Sequence, residues 1–454
     1  MKHYIKVAIA ILMLIVQTSC KKYLDIKSDA RLVVPTTLND LQGLLDDALK
    51  MNQSGSPSRT ESSSDDYFLP DNTYKSLITT QQETYIWTLK QYNYVNDWSI
   101  SYIPVYNANL CLERLALIKE TPDNKAEWDN IKGSALFFRS YSFLNLCWEF
   151  SKAYDNVSAA TDLGIVLRST TDFNIPSERA SLKDSYERIL SDTREAALLL
   201  PDNPVHVMRP SKAAAYGLLA RTYLSMRQYD SCFKYANLCL QIKHDLMDLN
   251  GDADINGSIK GKVPFKLFNK EMIFYFEMNK NIVLHMPSKG FIDTSLYSSF
   301  DENDLRRTAF FTSKNGYNTF KGSYAASPNV LFTGLATDEM LLIRAECYAR
   351  ENKISEAMND LNTLLEKRWL AGTFIPMTAS DKTDAIQKIV AERRKELMMR
   401  GLRWMDVKRQ NKVDANISFR RLIEGQVFIL TPNDDYWAMP LPDDLIKLTG
   451  MQQN

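Results

Sequence analysis

Two stretches of this 454-residue chain carry the same spacing of small and large apolar residues, which limits the fold more than any other feature. The first stretch has at its packing positions Tyr216, Leu219, Ala220, Tyr223, Tyr229, Cys232, Ala236 and Cys239. The second repeats these offsets with Leu341, Ala345, Tyr348, Ile354, Ala357, Leu361 and Leu364. Small residues let two antiparallel helices approach closely, while large ones fill the groove beside them. The spacing therefore predicts two tetratricopeptide-like helix hairpins.

The rest of the chain divides into helical segments and one stretch rich in turns. Apolar periodicity and capping residues predict helices over 37–51, 99–119, 125–152 and 181–200. A Ser-rich segment at 53–66 is predicted to be an exposed loop. Residues 245–335 contain Gly, Asn and Ser turns around short β-like runs. We predict a mainly α protein with a helical-repeat scaffold over 37–244 and 336–454, an irregular loop-rich insertion over 245–335, and little β structure.

The N-terminus has the three-part form of a secretory signal. A basic start precedes an unbroken apolar run at 7–16, and Cys20 follows a short polar stretch. The run is shorter than the roughly 20 residues that span a bilayer, so residues 1–19 are predicted to be a cleaved signal peptide. Cys20 resembles the lipid attachment site of bacterial lipoproteins, with 20–36 as the lipidated N-terminus and tether. The alternative is cleavage by ordinary signal peptidase, with Cys20 incidental.

Charge balance and motif searches exclude several classes of function. The chain has 55 Lys and Arg against 55 Asp and Glu, so zero formal net charge disfavours nucleic acid as a partner. It has 4 His and no CxxC, and no metal site or cofactor is predicted. GxSxG, HExxH, P-loop and GxGxxG motifs are missing, so no catalytic residue is predicted, although a carboxylate pair for glycoside hydrolysis stays open. Five cysteines in helix-like surroundings are predicted to be buried thiols, namely Cys111, Cys147, Cys232, Cys239 and Cys347.

Two charged segments have structural and functional interpretations. Residues 252–257 read Asp-Ala-Asp-Ile-Asn-Gly, which matches the first half of a calcium loop. Position 12 of that loop is Val263 instead of the required bidentate Glu, so an ordinary Asx turn is predicted. Residues 392–396 read Glu-Arg-Arg-Lys-Glu, and alternating signs at this spacing predict a salt-bridged, exposed helix face.

Aromatic residues are the candidates for ligand binding. Sugar recognition needs flat aromatic faces for pyranose rings, with polar groups for the hydroxyls. Trp98, Tyr102 and Tyr106 lie at helical spacing and are predicted to be core residues. The binding candidates are the aromatic residues that no helical period explains, namely Tyr67, Phe68, Tyr74, Tyr85, Trp87, Tyr297, Tyr317, Phe320 and Tyr324. The alternative is that these rings bury small satellite clusters.

Short motifs occur in order over nearly the whole chain. They are Cys-Lys-Lys-Tyr-Leu-Asp at 20–25, Tyr-Asn-Ala-Asn at 106–109, Arg-Ser-Tyr-Ser-Phe at 139–143, Ser-Lys-Ala-Tyr-Asp at 151–155, Arg-Pro-Ser-Lys-Ala at 209–213, Leu-Ile-Arg-Ala-Glu at 342–346, Arg-Gly-Leu-Arg-Trp at 400–404 and Met-Pro-Leu-Pro at 439–442. As an ordered set, with Glu-Arg-Arg-Lys-Glu at 392–396, they resemble the SusD/RagB family of outer-membrane nutrient-binding lipoproteins.

The resemblance implies a single SusD-like domain over 37–454 with four tetratricopeptide-like hairpins. It also implies a lipid such as palmitate on Cys20, a place on the surface of the outer membrane, and a partner. That partner is a SusC-like TonB-dependent outer-membrane transporter, to which the protein hands captured oligosaccharide without catalysis. Capture of peptides, an enzyme acting on the same polymer, and a lid without a ligand remain alternatives.

Overall fold

Helices predominate in the computed structural model, which describes residues 34–53, 55–413 and 415–454. The helices are α1 Leu38–Leu45, α2 Ala48–Met51, α3 Arg59–Ser63, α4 Asp71–Lys75, α5 Thr79–Tyr85, α6 Asp97–Leu115, α7 Lys125–Phe150, α8 Leu182–Leu199, α9 Lys212–Met226, α10 Tyr229–Ile242, α11 Thr294–Ser298, α12 Arg306–Ala309, α13 Thr337–Arg350, α14 Ile354–Glu366, α15 Lys382–Glu396, α16 Arg403–Asn411 and α17 Asp443–Thr449, with one 3-10 turn at Asp435–Trp437. None of these described helices is long and apolar enough to cross a membrane. The predicted signal peptide 1–19 and Cys20 lie outside the described residues.

The strands are short and pair in twos. They are β1 Tyr67–Phe68, β2 Leu163–Val166, β3 Arg179–Ser181, β4 Met272–Phe274, β5 Phe291–Ile292, β6 Phe311–Lys314, β7 Tyr317–Phe320, β8 Leu335–Ala336, β9 Phe419–Ile423 and β10 Gln426–Leu430. The antiparallel pairs are β1–β5, β2–β3, β4–β8, β6–β7 and β9–β10. The predicted mainly α class is confirmed.

The two predicted hairpins form α9–α10 and α13–α14. Each turns through a left-handed residue at the equivalent position, Arg227 with φ 61° and Asn352 with φ 63°. Ala220 and Ala345 are fully buried where the helices approach each other, as the spacing predicts. The long helices from α6 to α15 pack largely against their neighbours along the chain, which gives the helical-repeat scaffold.

Capping residues explain where two helices begin. The Ser181 side chain accepts a hydrogen bond from the Asp184 backbone N–H at 3.0 Å and starts α8, close to the predicted boundary. Asn96 and Ser99 form a capping box that starts α6 at Asp97, two residues before the predicted start. Pro104 consequently lies beyond the first turn, inside the helix.

The Ser-rich segment differs from its prediction. Residues 55–64 are buried, whereas their composition predicted an exposed loop. The carboxylate of Asp97 accepts hydrogen bonds from the backbone N–H groups of Ser58 and Arg59, each at 2.8 Å. Most side chains of this segment are small, and polar contacts such as these let them pack inside the protein.

Other local predictions hold. The five described cysteines are free and buried. Asp252 accepts the backbone N–H of Asp254 at 3.0 Å, which is the predicted Asx turn. Its other carboxylate oxygen receives the ammonium of Lys270 at 2.9 Å.

Two apolar clusters make up the interior. One lies within the helical scaffold. The other is centred on the insertion and also takes in Tyr67, Tyr85, Met398 and Ile423 from distant parts of the chain.

Candidate functional site

Three aromatic rings meet where β1, β5 and β7 come together; two of them reach the surface, and the third, Phe291, is buried. Phe68 pairs with Phe291 across the β1–β5 ladder, and their ring centroids are 5.9 Å apart. Tyr317 on β7 lies 5.1 Å from Phe68 and 5.3 Å from Phe291. The Tyr317 side chain is 44% exposed, while Phe68 is half-buried. We call Phe68, Phe291 and Tyr317 the aromatic platform.

The alternation of a strand explains how the platform forms. Successive side chains point to opposite faces, so Tyr67 is directed inward and Phe68 outward. Gly290 allows the strand before Phe291 to approach, because a Cβ there would lie 2.7 Å from the Tyr67 ring and 2.9 Å from the Leu284 carbonyl oxygen. The Lys314 ammonium lies 5.8 Å from the Phe291 ring centroid and adds a cation beside the platform.

Three predicted binding residues are instead buried around a guanidinium group. The Arg421 guanidinium carbon lies 5.0, 4.3 and 5.3 Å from the ring centroids of Tyr67, Tyr85 and Trp87. Arg421 is 4% exposed and donates to the Tyr67 carbonyl at 2.7 Å and to the Ser64 carbonyl. These rings are therefore buried around the guanidinium and offer no face to a ligand.

The remaining four candidates are dispersed. Tyr74 is half-buried against Tyr85 at 5.8 Å, and burial raises the pKa of its hydroxyl. Tyr297 is half-buried, with the Arg307 guanidinium 4.9 Å from its ring centroid. Phe320 and Tyr324 are buried in the second apolar cluster, which removes them from direct contact with a ligand. The structure thus brings together Phe68 and Tyr317 and adds Phe291, which sequence reasoning missed although it directly follows the turn ending at Gly290.

Charged residues of the insertion form a buried network with α15 and its surroundings. We call this network the ion-pair cluster; its members are Glu271, Arg306, Asp338, Arg368, Glu396 and Arg400. Arg368 bridges Glu271 and Glu396, at 2.8 Å each, and Arg306 reaches Glu396 at 3.0 Å. The prediction that 392–396 is exposed is wrong, because arginines distant in sequence bury its carboxylates.

Three carboxylates of this cluster have the geometry of a metal site. Oxygens of Glu271, Asp338 and Glu396 lie within 4.8 Å of one another. Guanidinium groups already neutralise them, including Arg400 at 2.7 Å from Asp338. Burial raises the pKa of Glu271 to about 7. Burial also acts to raise the pKa of Glu396, but the charges of Arg368 and other guanidinium groups outweigh burial and lower this pKa to about 2.

A serine and a histidine also meet inside the protein. Ser62 Oγ lies 2.9 Å from His285 Nδ1, and both residues are buried. Burial lowers the pKa of His285 to about 3, and its Nε2 has no hydrogen-bond partner among the residues that the structure describes. The pair therefore lacks both access and an orienting acid, which a nucleophilic site needs.

Comparisons with known proteins agree with this architecture. A family model described as "Starch-binding associating with outer membrane" matches residues 22–224, and one described as "SusD family" matches 311–435. The SusD-like protein P2 of Formosa agariphila is 23% identical, with 79% of each chain covered.

Solved structures share the fold over nearly the full length. A putative sugar binding protein from Bacteroides vulgatus superposes with a TM-score of 0.75 at 18% identity, covering 93% of this chain and 99% of its own. A SusD superfamily protein from Bacteroides thetaiotaomicron gives 0.73 at 19% identity, covering 92% and 99%. The two family models together match residues 22–224 and 311–435, and on these matches the chain belongs to the SusD/RagB family.

Proposed function

We propose that the protein is a cell-surface lipoprotein that captures a glycan on the aromatic platform and delivers it to a TonB-dependent outer-membrane transporter. The observation that carries the proposal is the platform itself, where Phe68 and Tyr317 turn apolar ring surface toward solvent beside Phe291. Apolar faces of sugar rings pack on such surfaces, and polar groups fix their orientation.

The relatives support the class of ligand. One of the two matching family models is described as starch-binding, and one structural neighbour is described as a sugar binding protein. The aromatic residues are loop-borne or on short strands, where the helical scaffold holds them while their sequence can vary.

Affinity electrophoresis tests the proposal. The mature protein is run through gels containing amylopectin, laminarin, xylan or mannan, and we expect retardation in at least one. In that gel, Tyr317→Ala should weaken binding about tenfold, or about 1.4 kcal/mol, whereas Tyr317→Phe keeps the ring and should retain most of it. No retardation in any gel, with capture of a peptide mixture, would contradict glycan binding and favour peptide capture.

We propose that capture proceeds without catalysis. The Ser62–His285 pair is sealed from solvent, and the carboxylates of the ion-pair cluster are held by guanidinium groups. A reducing-sugar assay on the retarding polysaccharide should show no release above buffer. Release that survives repurification would overturn this part of the proposal.

The anchor and the partner have separate tests. Cys20→Ala should move the protein from the membrane fraction to the soluble fraction and abolish labelling by a palmitate analogue. Continued labelling would contradict lipidation at this residue. Affinity purification of the wild-type protein from detergent-solubilised outer membranes should recover a TonB-dependent transporter in stoichiometric amount, and its absence would contradict the partnership.

A further inference from the structure

A second cleft lies on the helical scaffold, built from different elements than the aromatic platform. It has a volume of about 280 Å³ and lies between the first half of α6, the segment that links β2 to β3, and the end of the chain around α17. Its principal lining residues are Trp98, Tyr102, Tyr106, Arg168, Asp172 and Phe173. None of the platform residues contributes to it.

Two of the aromatic rings that line the cleft are exposed to solvent, and core packing does not explain their position. Phe173 is 86% exposed and Tyr106 is 52% exposed, and both line the cleft. Tyr106 was predicted to be a core residue from its helical spacing, and this prediction is wrong. Tyr102 and Trp98, one and two turns earlier on α6, do pack inward with ring centroids 5.1 Å apart, and they form the floor of the cleft.

Polar contacts hold the segment that carries Phe173. Arg168 donates to the Ile175 carbonyl at 2.9 Å and to Ser177 Oγ at 2.5 Å. Glu113 accepts from the backbone N–H of Thr171 at 2.7 Å and from its hydroxyl at 2.5 Å. The cleft is therefore formed before a ligand arrives, which lowers the entropic cost of binding.

The lining indicates the chemistry of the ligand. Aromatic faces favour a ring with apolar surface, while Arg168 and Asp172 bring one charge of each sign, so no net charge is selected. A purely apolar partner surface would cover these polar groups without hydrogen bonds, which costs free energy. Hydroxyl groups of a neutral sugar can instead donate to the Asp172 carboxylate.

We propose that this cleft is a second glycan-binding site, which takes a neutral pyranose unit between Tyr106 and Phe173. The inference rests on the proposed function for the class of ligand, but on none of the platform residues. A polysaccharide that reaches both sites gains avidity without any new contact, whereas a short oligosaccharide occupies each site separately.

The test uses the same four gels, amylopectin, laminarin, xylan and mannan, with variants at each site. In the gel that retards the wild-type protein, Tyr106→Ala and Phe173→Ala should each weaken binding about tenfold. Either substitution, when combined with Tyr317→Ala, should weaken binding further than Tyr317→Ala alone. Tyr106→Phe keeps the ring and serves as the matched control. Both side chains are exposed, so thermal unfolding of all variants should match the wild type.

The outcomes separate this inference from the proposed function. Loss of binding in Tyr317→Ala with no effect of Tyr106→Ala or Phe173→Ala would overturn the second site and leave the platform standing. Loss in the cleft variants with no effect of Tyr317→Ala would support the second site and overturn the platform. No retardation of the wild-type protein in any of the gels would overturn both.

Discussion

The helix hairpins and the insertion are held together in different ways. In the hairpins, Ala220 and Ala345 are fully buried and let apolar helices approach closely. The insertion is joined to α15 through the ion-pair cluster, in which Arg306 and Arg368 bind buried carboxylates. Shape-based packing is insensitive to pH, whereas the stability that a buried ionisable pair contributes changes when one partner is lost or changes protonation. Both regions combine the two kinds of contact, since the insertion has its own apolar cluster and Arg221 of α9 forms a buried ion pair with Glu339 of α13. The contrast lies where the insertion, which carries most of the platform, joins α15 through charge.

Removing one guanidinium group from the cluster should have the largest effect. Arg368→Met leaves Glu271 and Glu396 buried without their shared partner, and we expect a loss of about 3–5 kcal/mol in the free energy of unfolding. Urea denaturation measures it. The matched control is Arg209→Met, which breaks a partly exposed pair with Asp46 and should cost at most about 1 kcal/mol. Equal losses in the two variants would show that charge does not hold the insertion.

Changing the pH should affect the same cluster. Because the folded-state pKa of Glu271 is raised to about 7, its contribution to stability is full below about pH 4.5 and is lost as the pH rises to about 7. Glu271→Gln should remove about 1–3 kcal/mol of this pH dependence, so its free energy of unfolding should vary less than that of the wild type across the window.

Urea denaturation at half-unit pH steps from 4.5 to 7.5 checks this expectation. Glu178→Gln, at an exposed position, is the control and should follow the wild-type curve. A Glu271→Gln curve that parallels the wild type would contradict the raised pKa.

Overpacking the hairpins should cost less than breaking the cluster, and it should not depend on pH. Ala220→Leu and Ala345→Leu place a larger side chain at the equivalent point of each hairpin, and we expect a loss of about 1–3 kcal/mol for each. Ala160→Leu, at an exposed position, should change stability by less than about 0.5 kcal/mol. If the stability loss in Ala220→Leu depended strongly on pH, this would contradict the expectation that hairpin packing is less sensitive to pH than the ion-pair cluster.

The smallest effect on stability is expected at the platform surface. Tyr317→Ala should change the free energy of unfolding by less than about 0.5 kcal/mol, because the side chain is 44% exposed. Differential scanning calorimetry checks this, beside the binding loss expected above. A large destabilisation would mean that Tyr317 is a packing residue.

Local patterns predicted the helical part of the fold, and long-range contacts explain where they failed. The Ser181 cap and the hairpin spacing depend on neighbours within a few turns, and both are confirmed. Arg421 lies 354 residues from Tyr67, so nothing near Tyr67 in the sequence shows that a guanidinium will bury its ring. Likewise, the exposed face predicted for 392–396 is buried because its partners come from the insertion.

The candidate site was predicted in part. The absence of a helical period made Phe68 and Tyr317 candidates, and the structure brings them together next to the pairing of β1 with β5. Phe291 was missed because a short strand within an irregular insertion has no periodic signal. Tyr106 was assigned to the core because helical spacing places it on the same face of α6 as Trp98 and Tyr102. The spacing does not show whether another element covers that face, and the β2–β3 segment leaves Tyr106 in an open cleft.

The distance between Tyr67 and Arg421 also sets the order of assembly. Contacts between residues far apart in sequence form late, because closing a long loop costs entropy before any contact compensates it. Since synthesis begins at the N-terminus, Tyr67, Tyr85 and Trp87 are made long before the guanidinium that they will surround. Until β9 packs against them, these rings are exposed apolar surface, which favours aggregation of the incompletely folded chain.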